Sequence, residues 1–146
     1  MKPEDISSVL EGFVKEFKIT GVRRISAVSD RGAFKKALEA LKKKGAEHIS
    51  TITGVDLGNE ILVIYHIDCG DGVVLNLRLT LSKEDPSLPT VTDLFPGAAL
   101  YERDLMEMLG IKVNGHPNPS HLFLPDDWPQ GVYPLRKEFT KLEEKK

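Results

Sequence analysis

Between Val73 and Leu81 the chain alternates without a break. Val73, Leu75, Leu77, Leu79 and Leu81 fall on one side, and Val74, Asn76, Arg78 and Thr80 on the other. A side-chain period of two belongs to a strand with one face in a core, and it fixes the register of whatever pairs with it. Directly before it, Gly70-Asp71-Gly72 supplies the positive-φ residues of a tight hairpin. The hairpin requires an antiparallel neighbour, and Ile61 to Asp68, apolar on both faces, fits an inner strand. The Gly58-Asn59 turn leads back to a third strand, Glu47 to Leu57, with Ile49, Thr51, Thr53, Val55 and Leu57 expected on one side.

An apolar sheet face needs a cover, and two helices are available upstream. Pro3, Glu4 and Asp5 make a good helix opening, with proline early and acids at the positive end of the helix dipole. Ile6, Val9, Leu10, Phe13, Val14 and Phe17 then recur at helical spacing, and Gly12 is expected to weaken the helix without ending it. Gly21 to Val28 reads as a short strand with Val22, Ile25 and Val28 apolar. Asp30 can cap a second helix whose buried stripe is Phe34, Ala37, Leu38 and Leu41, with Gly45 as its stop. Residues 1–87 therefore read as a two-layer α+β core, with helices packed on a mainly antiparallel sheet.

At 146 residues the chain has material for one domain with a single moderate core. A net charge of −2 argues against general nucleic-acid binding, which needs a cationic excess or a basic face. Lys42-Lys43-Lys44 and Lys145-Lys146 read as a helix end and a solvated tail. Cys69, the single cysteine, can form no internal disulfide and cannot alone hold an iron–sulfur cluster or a structural zinc. Before a tight turn and without a basic neighbour, it is expected to be a small, semi-buried residue. Met1 to Asp5 lacks the apolar core of a signal peptide, and no run approaches the roughly 20 apolar residues that span a bilayer. A reducing cytoplasm is the expected setting, with any membrane contact made through a partner.

Residues 88–146 are of another kind, although they are read as part of the same domain. Most of the nine prolines lie here, so much of the stretch cannot be regular helix or central strand. Asp93 to Phe95 suggests a helical turn, and Ala98 to Leu109 a third helix ended by Gly110. Beyond Gly115 an extended arm is expected. Glu102, Arg103, Asp104 and Glu107 place three acids and an arginine on two helical turns, which is either a solvated surface or, with His116, an acid–base cluster. His116 and His121, with Asp126 or Asp127, have the residue types of a metal site but not a helical spacing. A turn histidine held by a backbone or carboxylate hydrogen bond is the simpler reading. His48 and His66 read as sheet-surface or core-edge residues. No phosphate loop, dinucleotide fingerprint, Gly-x-Ser-x-Gly or Cys-x-x-Cys occurs.

The ordered segments Glu102-Arg103-Asp104, Glu107, Leu109-Gly110-Ile111, Gly115-His116-Pro117, Leu124-Pro125-Asp126-Asp127-Trp128 and Pro134-Leu135-Arg136-Lys137-Glu138-Phe139 resemble a known signature. It is that of the respiratory complex I 30-kDa subunit family of NADH dehydrogenases, which includes the related subunit of membrane-bound energy-converting hydrogenases. Asp104, Glu107 and Glu138 are acid-for-acid differences from its pattern. Leu109 replaces an aromatic, Asn118 to His121 stands in place of a charged loop, and Tyr133 in place of a histidine.

The resemblance implies a non-catalytic peripheral-arm subunit of a complex I-like membrane-bound oxidoreductase, NADH/quinone-type or hydrogenase-type. Such a chain binds no cofactor of its own. Iron–sulfur clusters, and a nickel–iron centre or a quinone, are then expected on partner subunits. Its partners would be the large hydrogenase-like (49-kDa-type) subunit and small iron–sulfur subunits. It would lie in the cytoplasm, peripherally associated with the cell membrane through the complex. The interface residues so implied are Glu102, Arg103, Asp104, Glu107, Gly110, His116, Pro117, Trp128, Leu135, Arg136 and Lys137. Charge reversal at Arg103 or Arg136 is then expected to loosen assembly more than it unfolds the isolated chain. The alternative is a stand-alone acid/base enzyme using Glu102, Asp104, Glu107 and His116. A third, a polyanion binder through the lysine-rich helix, would require steeply salt-dependent binding.

Overall fold

The computed structural model describes residues 1–140. Lys145 and Lys146, expected to form a solvated tail, lie outside the described residues. Five strands form the main sheet: β1 (Glu16–Gly21), β2 (Arg24–Val28), β3 (His48–Asp56), β4 (Glu60–Asp68) and β5 (Val74–Ser82). Their order is β1-β2-β5-β4-β3, with every pair antiparallel except β2 and β5. The hairpin between β4 and β5 turns on Gly70, Asp71 and Gly72, all with positive φ.

Register puts one set of side chains on a common face: Ile25 and Ala27 of β2, Leu75, Leu77, Leu79 and Leu81 of β5, and Ile61, Val63, Tyr65 and Ile67 of β4. All of them are buried. Helices α1 (Pro3–Leu10) and α2 (Phe34–Lys43) cover this face, with the Phe34 and Tyr65 rings stacked at 5.2 Å. Helix α3 (Ala99–Leu109) covers the same face at the β3 end, where Leu105 and Leu109 lie against Gly54. The result is the two-layer α+β arrangement expected, with an outer face that no helix among the described residues covers. On that face His66 sits between Thr53 Oγ1 at 2.9 Å and Asn76 Oδ1 at 2.7 Å.

Several local expectations are corrected. The first helix ends at Leu10, because Gly12 takes φ +86°, and Phe17 belongs to β1 instead. The strand expected over Gly21 to Val28 is the turn and second arm of the β1–β2 hairpin, which leaves Val22 at the tip and 92% exposed. In β3 a bulge between Ile49 and Thr51 switches the inward side. Ile52 and Asp56 point inward as a result, while Val55 and Leu57 are exposed. Asp30 caps the turn before α2, accepting from the Ala33 N–H at 2.9 Å, and the helix proper starts at Phe34.

The exit from the sheet is also more regular than its prolines suggest. A short parallel pair, β6 (Ser87–Pro89) and β7 (Lys112–Asn114), brackets α3 and ties both of its ends to the domain. Pro89 fits because the pair is only three residues long and isolated from the main sheet. Leu88, Val91, Phe95, Ala98, Leu105, Leu109, Ile111 and Val113 join the same buried core as the sheet. From Gly115 to Thr140 the chain has no helix or strand and lies as an arm across α3 and the end of β3.

Candidate functional site

Helix α3 presents its charged residues in several directions, and each meets a different environment. Glu102 is fully buried, and its carboxylate accepts from the Thr90 hydroxyl at 2.6 Å and the Val91 N–H at 2.9 Å. Burial pushes this carboxyl up, against the opposing pull of Thr90, Val91 and His116. Nearby, the Tyr65 hydroxyl is buried without a hydrogen-bond partner among the described residues.

The His116 ring is 1% exposed, with Nε2 3.8 Å from Glu102 Oε1. Its Nε2 donates to Ala99 O at 2.9 Å and its Nδ1 accepts from Asn118 N at 3.0 Å. That bonding is the pattern of the Nε2–H tautomer. Both nitrogens are therefore occupied by backbone. His121 Nδ1 lies 3.2 Å from Pro125 O, and among the described residues no three histidine, cysteine or acidic side chains converge as a metal site. The Cys69 thiol is buried, which pushes it up to about 11.

Arg103 and Glu107 grip the arm. Arg103 donates from Nε to Ser120 O at 3.0 Å, and from Nη2 to His121 O at 2.8 Å and Ser120 Oγ at 3.1 Å. The Glu107 carboxylate accepts from the backbone N–H groups of Leu122 and Phe123, the latter at 2.9 Å. Asp104, half-buried between them, has its carboxyl raised by burial and by the charge of Glu107.

Further along, Gly110 ends α3 in the left-handed conformation at φ +72°, and the Tyr133 ring fills the space where a Cβ would project. Arg136 lies 4.7 Å over that ring and donates from Nε to Leu109 O at 2.7 Å, answering one of the unpaired carbonyls at the helix end. Leu135 donates its N–H to Met108 O at 2.9 Å while its side chain stays exposed. Trp128 is half-buried, bonded through Nε1 to Val132 O and tilted against Phe139 at 6.2 Å. Pro117 and the Lys137 side chain are exposed.

The structure thus brings Glu102 and His116 together under α3, Arg103 and Glu107 together on the arm loop, and Gly110 and Arg136 at the helix end. It does not bring the four members of the alternative acid–base cluster to one point. Between α3, β7 and the arm lies an open groove of about 690 Å³, lined by Met106, Lys112, Trp128 and Tyr133 among others.

One position that fastens the arm to the sheet escapes sequence reasoning altogether. Buried Asp56 accepts from Gly58 N at 2.8 Å, Lys137 N at 2.9 Å and Lys83 Nζ at 2.7 Å, and Lys83 also reaches Glu138 at 2.7 Å. Burial alone would raise the Asp56 carboxyl, but these donors outweigh it and hold it well below the usual range. An acid two residues before a glycine signals a turn cap, and nothing local announces its partner 81 residues away. The lysines of α2 are partly engaged as well: Lys35 pairs with Asp93 at 3.0 Å, and Lys42 lies over the Phe95 ring.

Residues 27–145 match the family model for the respiratory-chain NADH dehydrogenase 30-kDa subunit. The chain is 35% identical over 123 residues to the membrane-bound hydrogenase subunit beta of Pyrococcus furiosus, covering 81% of this chain and 71% of that one. It is 33% identical over 140 residues to a subunit of the F(420)H(2) dehydrogenase of Methanosarcina mazei, covering 93% and 88%. In three dimensions it superposes on a chain of the membrane-bound sulfane sulfur reductase, an archaeal respiratory membrane complex. The TM-score is 0.84 at 26% identity, over 95% of this chain and 85% of that one.

Proposed function

Because the chain belongs to the respiratory-chain NADH dehydrogenase 30-kDa subunit family, we propose that it is a non-catalytic peripheral-arm subunit of a complex I-like membrane-bound oxidoreductase. In this reading it packs on a large hydrogenase-like subunit and supports the electron-transfer arm. It carries no redox group itself. Iron–sulfur clusters, and a nickel–iron centre or a quinone, belong to its neighbours. It sits on the cytoplasmic side, reaching the membrane only through them, and no helix among the described residues is long and apolar enough to cross a bilayer.

The observation that carries this reading is how the charged residues of α3 are used. Glu102, Glu107 and His116 each spend their bonding capacity on backbone groups of their own chain. A general acid or base needs a proton site that a substrate can reach, and these groups hold a surface in shape instead. The same feature weighs against the stand-alone acid/base enzyme.

The test is affinity purification of the tagged chain from solubilised membranes of its host. The expected result is co-elution in fixed stoichiometry with a large hydrogenase-like subunit and small iron–sulfur subunits. A complex that assembles fully and retains its activity without this chain would overturn the proposal. So would turnover by the isolated chain that disappears on Glu102→Gln or His116→Ala.

A further inference from the structure

Three of the four charged residues on α3 are committed within the chain, Glu102 to Thr90 and Val91, Arg103 and Glu107 to the arm loop. Asp104 is different. Among the described residues nothing donates to its half-buried carboxylate, and the charge that bears on it, that of Glu107, has the same sign. A partly desolvated carboxylate beside another acid is an unfavourable arrangement unless a cation arrives.

Leu100, Asp104 and Glu107 follow one another at helical spacing along a single stripe. Leu100 is 54% exposed at one end of it. At the other end Glu107, about one helical turn on from Asp104, pins the backbone of Leu122 and of Phe123, whose side chain is 64% exposed. An exposed phenylalanine is costly in water. On a loop clamped by both Arg103 and Glu107, however, it loses little freedom when it enters a recess.

We propose that the outer stripe of α3 and the clamped loop at 120–123 form a docking surface for a partner-protein segment. That segment offers an arginine or lysine to Asp104 and an apolar recess to Phe123 and Leu100. The unpaired acid selects a cationic protein surface and disfavours phosphate-bearing ones, whether lipid or nucleic acid. The proposal rests on the subunit reading above and names the surface within it.

The experiment uses the complex purified from host membranes, with retention of this chain after a salt wash measured against the large subunit. Phe123→Ala and Asp104→Lys are each expected to lower retention about tenfold, as loss of an interface anchor does. Asp104→Asn should lower it less, and Thr80→Lys, on the open sheet face, should not change it. Melting of the isolated variants is measured alongside, and Phe123→Ala is expected to melt as the wild type does. In a second measurement, a photo-crosslinking amino acid at position 123 should join to a peptide of the complex that carries a basic residue close by.

Wild-type retention of both Phe123→Ala and Asp104→Lys would overturn the surface while leaving the subunit reading intact. A crosslink to lipid, or to a peptide without a basic side chain, would do the same. Failure of the unmodified chain to co-purify would instead overturn the subunit reading itself.

Discussion

At the scale of single residues, Glu102 and Asp56 are both buried acids with opposite electrostatic histories. Among the described residues Glu102 has no cation in hydrogen-bonding contact, so burial raises its carboxyl above the ordinary glutamate value of 4.5. Asp56 has Lys83 and two backbone donors, so its carboxyl falls below the ordinary aspartate value of 3.8. A raised acid favours the folded state at low pH, and that contribution is lost as pH rises through the folded value. A lowered acid stabilises above the unfolded value and loses its contribution as pH falls. Glu102→Gln should therefore make the chain relatively more stable toward neutral pH, and Asp56→Asn should flatten the loss of stability below about pH 4. Urea unfolding of each variant across this range checks both signs. Glu102→Ala is a harsher change, because it opens a cavity and leaves the Thr90 hydroxyl and Val91 N–H without a partner. It should cost about 2–4 kcal/mol in the same assay, whereas Glu102→Gln at mildly acidic pH should stay within about 1 kcal/mol.

At the scale of elements, α3 is seated by what β3 lacks. Leu105 and Leu109 occupy the space a side chain at position 54 would fill. Gly54→Val is expected to destabilise by about 1–3 kcal/mol, and Leu109→Ala in the same chain should recover part of the loss. Thermal melts of the two single variants and the double variant test this. The arm depends on α3 in turn. Arg103→Ala removes three partly solvated hydrogen bonds and should cost the fold about 1 kcal/mol or less. Amide exchange at Ser120 and His121 should nevertheless rise, while the Leu122 and Phe123 N–H groups stay held by Glu107. The elements with strong periodicity, β4, β5 and α2, were legible in the sequence because each residue there answers to its immediate neighbours. Those that were not turn on events the pattern does not contain. Gly12 changes conformation and ends α1, the bulge at Ile49 reverses β3, and β6 and β7 exist only because α3 returns the chain alongside itself.

At the scale of the whole molecule, the signature stretch from Leu88 to Phe139 was legible as family, while its internal bonding was not. Sequence separates Arg136 from Leu109 and Lys137 from Asp56 by distances no local rule spans. This alters one expectation about Arg136. Its guanidinium caps α3 and covers Tyr133, so Arg136→Glu should lower the melting temperature of the isolated chain as well as weaken assembly. Differential scanning calorimetry beside the co-purification assay separates the two losses. The Asp56 contact with Lys137 has a further consequence, in time rather than space. During synthesis the sheet can form once Ser82 has left the ribosome, yet α3 stays uncapped and Asp56 lacks its arm donor until Lys137 emerges. The newborn chain therefore passes through an interval in which its sheet is complete and its arm is not yet anchored, so the fastening of the arm is among the last parts of the fold to be finished.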